Sequence, residues 1–99
     1  MYQEPWCDIT EFPISHAESL VCELTVELSG QNVEWIESGI KLLAKREDQD
    51  EILIATEDKF YIVHLTWSGK LEHAPYPKIS SYDSWEQVLV RLSSDSEHY

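Results

Sequence analysis

The stretch Ile52–Lys70, ILIATEDKFYIVHLTWSGK, is the most apolar and β-branched part of the chain. It predicts two strands, at 51–55 and 60–67, joined by a tight turn at 56–59, because strands separated by a short polar turn pair antiparallel. Both alternating sets of side chains in the second strand are largely apolar. A strand with one solvated face alternates more cleanly. We therefore interpret it as a central strand, with either both faces covered or one face bound to a partner.

Segments on both sides of this hairpin predict two helices and a further strand. Residues 40–46 predict the strand, and Ile14–Leu28 predicts an amphipathic helix with Ser15 as its N-cap. Part of this segment also alternates as a strand does, but the signals at its ends favour the helix. A second helix is predicted to begin at Ser84, since Gln87 completes a capping box. The apolar stripe of the first helix is Ile14, Ala17, Leu20, Val21, Leu24 and Leu28.

Together these elements predict an α+β fold in a single domain, 1–99. We expect a three- to four-stranded antiparallel meander with the two helices packed on one face. Residues 1–13 predict an irregular arm, and 93–99 predict a flexible polar tail. Residues 72–78 contain two prolines and predict an extended or looped connection, with at most a short edge strand.

Acidity is the main global feature of the chain. Its 19 acidic and 7 basic residues give a net charge of −12. We do not expect nucleic acid or anionic membranes as partners, because binding either of them requires a basic surface. A basic protein partner is compatible with this charge, and solubility alone is the alternative explanation of the acidity. The first residues lack the pattern of a signal peptide, so we expect a cytoplasmic protein with Cys7 and Cys22 as free thiols.

No pattern in the sequence predicts a catalytic residue, a metal site or a cofactor. The four histidines lack the spacing of metal ligands. The segment 57–59, Glu-Asp-Lys, echoes an element of metal-dependent nucleases, but a hairpin turn explains it better. The alternative that stays open is a small metal-dependent hydrolase that uses His64, His73 and nearby carboxylates.

Two segments resemble a set of small bacterial proteins of unknown function. The segments are 44–53, AKREDQDEIL, and 63–70, VHLTWSGK, followed by Pro77 and by 83–86, DSWE. The family patterns are A-x-R-x-D-x-D-D-x-L and V-H-L-T-W-S-G-K, and Glu51 stands where the first pattern has the second aspartate of its adjacent D-D pair. This resemblance implies a stand-alone bacterial cytosolic domain and does not imply an enzyme. In size, acidity and layout the chain is also similar to immunity proteins that neutralise bacterial toxins.

From these patterns we predict a non-catalytic protein-interaction module that binds a basic partner, and the similarity to immunity proteins suggests an immunity-like role. The predicted contact residues are His64, Thr66, Trp67, Lys70, Arg46 and Asp48. Acidic side chains expected to face the partner are Glu23, Glu27, Asp48 and Asp50. A homodimer joined through the second face of the sheet is the remaining alternative.

Overall fold

The computed structural model describes residues 2–29, 39–67 and 77–98. These residues form an antiparallel sheet and two α-helices, which confirms the predicted α+β class. A short 3-10 helix, Ile9–Glu11, joins the first strand to the first helix. In chain order the elements are β1 (Trp6–Asp8), α1 (Ile14–Leu28), β2 (Lys41–Arg46), β3 (Glu51–Ala55), β4 (Phe60–His64), β5 (Lys78–Tyr82) and α2 (Trp85–Glu97).

The sheet has five described strands in the order β1-β2-β3-β4-β5, and each strand pairs antiparallel with the next. The predicted meander is therefore correct, but two strands were missed. β1 lies inside the predicted irregular arm, and β5 follows directly after Pro77. Both are edge strands, and neither has the apolar alternation by which a half-buried strand is recognised.

The two helices lie on opposite faces of the sheet, so the predicted packing on one face is wrong. One buried cluster joins α1 to Ile52, Ile54 and Val63. The other joins Val88 of α2 to side chains on the opposite face of the sheet, among them Leu53 and Ile62. Successive strand residues point to opposite faces, so the central strands need cover on both sides. Of the two alternatives given above for the central strand, the structure shows the first, in which both of its faces are covered. The face that the homodimer hypothesis left for a second copy is covered at its centre by α2.

Helix α1 has the predicted bounds but a different start and a different buried face. Its N-cap is Pro13, without a side-chain cap, so the predicted capping role of Ser15 is wrong. Ile14 is 78% exposed, whereas Glu23 and Glu27 are buried. Glu27 lies seven residues after Leu20, a helical spacing that places it on the same side of the helix.

Helix α2 begins as predicted, with the Ser84 hydroxyl accepting a hydrogen bond from the Gln87 N–H. It continues through Glu97, so the predicted polar tail from residue 93 is helical up to that point. Asp95 in this last part is bound to other elements, as described below. Within the described ranges, neither helix combines the length and the apolar content that a membrane span requires.

Candidate functional site

A row of three titratable side chains crosses one end of the sheet. Glu51 of β3 lies opposite His64 of β4, and His64 lies opposite Lys78 of β5. Opposite residues of antiparallel strands carry their side chains on the same face. The row therefore lies on the face that α2 covers, at the end where the β2–β3 turn meets the end of β4.

Next to this row is a cleft of about 660 Å³. Its floor includes the apolar side chains of Ile62 and Leu65. Its polar lining includes Asp50, Glu51, His64, Thr66, Lys78 and Ser80. Two of the predicted contact residues, His64 and Thr66, thus share one concave surface with an exposed carboxylate and a lysine.

One wall of the cleft is supported by five charged side chains, which we call the arginine–carboxylate network: Arg46, Asp48, Glu51, Arg91 and Asp95. Arg91 Nη2 donates to both carboxylate oxygens of Glu51 at 2.9 Å, and Arg46 Nη1 donates to Glu51 Oε1 at 2.9 Å. Asp95 accepts from Arg91 Nε and from the indole Nε1 of Trp6, which ties α2 to β1. The network and Trp6 therefore join β1, β2 and β3 to α2 at one end of the sheet.

Charge pairing inside the network shifts the pKa values of its members. The hydrogen bond with Arg46 lowers the pKa of Asp48, and the same bond raises the pKa of Arg46 against the effect of burial. Burial alone would lower the pKa of Arg91, but its bonds to Tyr82 and Glu51 and the charge of Asp95 outweigh this effect and raise it. Both guanidinium groups therefore stay charged, and each needs its carboxylate partners.

Arg46 and Asp48 were predicted to contact a partner, and the structure places both in this network. The Arg46 side chain is only 10% exposed, and its Nε donates to Asp48 Oδ1 at 2.6 Å. Their contacts hold the end of β2 together. His64 is different, since 45% of its side chain is exposed and its Nδ1 lies 3.9 Å from Glu51 Oε2.

A buried carboxylate from α1 holds the backbone that follows β4. Glu27 is fully buried, and its two oxygens accept hydrogen bonds from the N–H groups of Thr66 and Trp67, both at 2.9 Å. Burial raises the pKa of Glu27, and a side-chain hydrogen bond with Glu23 adds to the rise, while the two backbone donors oppose it. Glu27 thus accepts hydrogen bonds from two backbone N–H groups that lie beyond the end of β4.

Trp67 lies at this point in an unusual backbone conformation. Its φ is +57°, which makes it the only non-glycine residue with a positive φ in the described ranges. This region costs a residue with a side chain roughly 1–2 kcal/mol. Leu65 is also tethered, since its N–H donates to the Asp50 carbonyl at 2.8 Å. The segment 65–67 is thus fixed to both α1 and the β2–β3 turn, while 41% of Trp67 remains exposed.

Three other predictions from the sequence concern Lys70, His73 and the segment 57–59. Lys70 and His73 lie outside the described residues. Residues 57–59 are in the β3–β4 turn, where the Thr56 N–H donates to the Lys59 carbonyl, so the turn interpretation is confirmed. In the part of the chain that the structure describes, no three His, Cys, Asp or Glu side chains group as metal ligands. The hydrolase alternative also needs His73 and stays a hypothesis.

Sequence reasoning missed the supporting side chains of the site. Glu27 was expected to face a partner, although its helical spacing from Leu20 and Leu24 is a signal that could have placed it inside. Glu51 and Arg91 carried no such signal, because they lie 40 residues apart and meet only in the folded chain. Comparison with known proteins finds no matching family model, no similar curated protein and no similar solved structure.

Proposed function

We propose that this chain is a non-catalytic protein-interaction module that binds a basic protein through the Trp67 surface, defined as Asp50, His64, Thr66 and Trp67. The observation that carries the proposal is the exposed Trp67 ring on a strained backbone that a buried carboxylate holds in place. Tryptophan is among the residues most enriched at binding hot spots. Strained backbone conformations cluster at functional sites, where the surrounding structure maintains them.

The cost of this arrangement favours binding over a purely structural role. A positive φ and a buried carboxylate both oppose folding, and the hydrogen bonds of Glu27 offset only the second. The core gains little in return, since 41% of Trp67 stays in contact with solvent. A preorganised aromatic side chain gains free energy when a partner covers it, because little conformational entropy is then lost.

Charge supports a basic partner. The net charge is −12, and the exposed Asp50 carboxylate makes no ion pair within the described ranges. A field of one sign accelerates encounters with a partner of the opposite sign and weakens as salt is added. A basic bacterial toxin is one such partner, and the resemblance to small bacterial proteins is compatible with an immunity-like role.

The test begins with capture of partners by the tagged chain at low salt, followed by affinity measurements with the purified partner. We expect Trp67→Ala to weaken binding at least about tenfold, the effect of losing a hot-spot side chain. Val90→Ala is its control, because Val90 is exposed on α2. We expect the wild-type affinity to fall as salt rises.

The acidic contribution is tested by Asp50→Asn against Asp58→Asn. Both aspartates are exposed, and they lie in turns at opposite ends of β3. We expect Asp50→Asn to weaken binding several-fold more than Asp58→Asn does. Equal affinities for Trp67→Ala and Val90→Ala, or capture of acidic proteins only, would count against the proposed function.

A further inference from the structure

Among the described residues, β5 is an edge strand of the sheet. In the described part of the chain it pairs with β4 on one side and with no strand on the other. Residues 78–81 are all exposed, and Ile79 has 37% of its surface in solvent. Alternate N–H and C=O groups of an edge strand point away from the sheet. β5 therefore offers solvent a row of backbone donors and acceptors.

Apart from the exposed Lys78 at its start, β5 lacks the features that usually protect an edge strand. Such strands commonly carry charges, an internal proline or a bulge. The segment 79–82, Ile-Ser-Ser-Tyr, has no charge and no proline, although 26% of the chain is charged. Its register with β4 runs without a shift from Phe60↔Tyr82 to His64↔Lys78. By contrast, β1 at the opposite edge has only three residues.

We propose that β5 is the docking edge for an extended segment of the basic partner, which adds to the sheet as a further strand. This inference rests on the proposed function and names the form that the partner takes. Addition of a strand supplies affinity through main-chain hydrogen bonds, and side chains at alternate positions supply specificity.

Continuity with the cleft and charge complementarity decide the occupant. Lys78 and Ser80 of β5 line the same cleft as Asp50 and His64, so a strand on β5 passes along its border. Strands lie roughly 4.8 Å apart, which puts β3 about 14 Å from the added strand. At this distance the added strand itself does not reach Asp50. In the proposed complex, basic residues that follow the added strand cross the cleft and contact Asp50. A second copy of this chain would bring two charges of −12 together.

The direct test is an NMR titration of the ¹⁵N-labelled chain with a short capped peptide that alternates lysine with valine. Saturation at about 1 mM or below is expected, with the largest amide shifts at residues 79–82 and slower hydrogen exchange there. Two control peptides separate the causes of binding. One carries glutamate in place of lysine, and the other is N-methylated at alternate residues, which removes its donors along one edge. Both are expected to bind at least about tenfold more weakly. Shifts confined to other residues, or equal binding of the N-methylated peptide, would overturn the proposal.

Two variants test the same edge with the protein partner. Consecutive N–H groups of a strand point to opposite edges. One of Ser80→Pro and Ser81→Pro therefore removes an outward N–H and keeps the pairing with β4, and circular dichroism identifies which of them folds. The folded variant should bind the partner at least about tenfold more weakly than the wild type.

If it binds normally while Trp67→Ala does not, the proposed function stands and the docking edge is wrong. If the wild type is dimeric in sedimentation and the folded variant is monomeric, β5 binds a second copy and the proposal fails. Where neither variant folds, the peptide titration decides.

Discussion

Replacement of Glu27 by glutamine tests how the segment after β4 is held. The carboxylate accepts hydrogen bonds from the N–H groups of Thr66 and Trp67, one on each oxygen. A glutamine side chain has the same size but offers one acceptor, because its NH₂ group is a donor. One of the two N–H groups is then left without an acceptor at a fully buried position.

The expected loss of stability follows from that count. A buried N–H without an acceptor costs about 1–3 kcal/mol. A loss of about 2 kcal/mol in a domain of this size lowers Tm by roughly 8–16 °C. Thermal unfolding followed by circular dichroism measures the change. Glu18→Gln is the matched control, since Glu18 is exposed on the same helix and should leave Tm nearly unchanged.

The pH dependence gives a second, independent signature. The pKa of Glu27 is raised above its ordinary value of 4.5, so the Glu27 carboxyl group binds its proton more tightly in the folded protein than in the unfolded chain. Its contribution to stability is therefore fully present below about pH 4.5 and is lost as pH rises through the folded pKa. Asp8 and Asp48, whose pKa values are lowered, titrate in both proteins and cancel in the comparison.

The stability advantage of the wild type over Glu27→Gln should therefore grow as pH falls from neutral towards 4.5. Urea unfolding at a series of pH values measures it. The reasoning is refuted if Glu27→Gln unfolds at the same temperature as Glu18→Gln, or if the advantage grows with rising pH.

Three further predictions concern other parts of the structure. Trp67→Gly should be more stable than Trp67→Ala by about 1 kcal/mol in urea unfolding, because glycine adopts a positive φ without strain; equal stabilities would argue against strain at this position. Glu51→Gln should cost about 1.5–3 kcal/mol, since it weakens the hydrogen bonds of both arginines of the network while their pairs with Asp48 and Asp95 remain, whereas Glu57→Gln in an exposed turn should cost little by the same assay. Iodoacetamide should label the exposed Cys22 before the half-buried Cys7, whose pKa is raised by burial, by a hydrogen bond with a glutamate and by nearby acidic charges; faster labelling of Cys7 in peptide mass spectra would contradict this order.

Elements with strong periodicity could be predicted from the sequence. α1 and β3 have the predicted bounds, because a run of regularly spaced apolar residues identifies a buried face. β5 could not be predicted in the same way. It is a polar edge strand, and its pairing with β4 supplies the order that its own residues do not encode.

In the candidate site, too, one part could be predicted from local sequence and another part could not. The segment from His64 to Trp67 was identified from local motifs, and the structure places it beside a cleft. The groups that hold it come from distant parts of the chain. Glu27 lies 39 residues from Thr66, and Trp6 lies 89 residues from Asp95. Local patterns carry no information on such pairs, because each member alone resembles an ordinary surface residue or core aromatic.

By itself, the sequence determined the α+β class, the central apolar strands and the acidic charge, since each depends on composition or on periodicity within a few residues. Only the tertiary structure decided that the helices cover opposite faces and that Glu27 binds the backbone of Thr66 and Trp67. Periodicity shows that one side of an element is buried but not which neighbour buries it. That choice depends on how all the elements pack together, and it is this packing that holds Trp67 in its strained conformation beside the cleft.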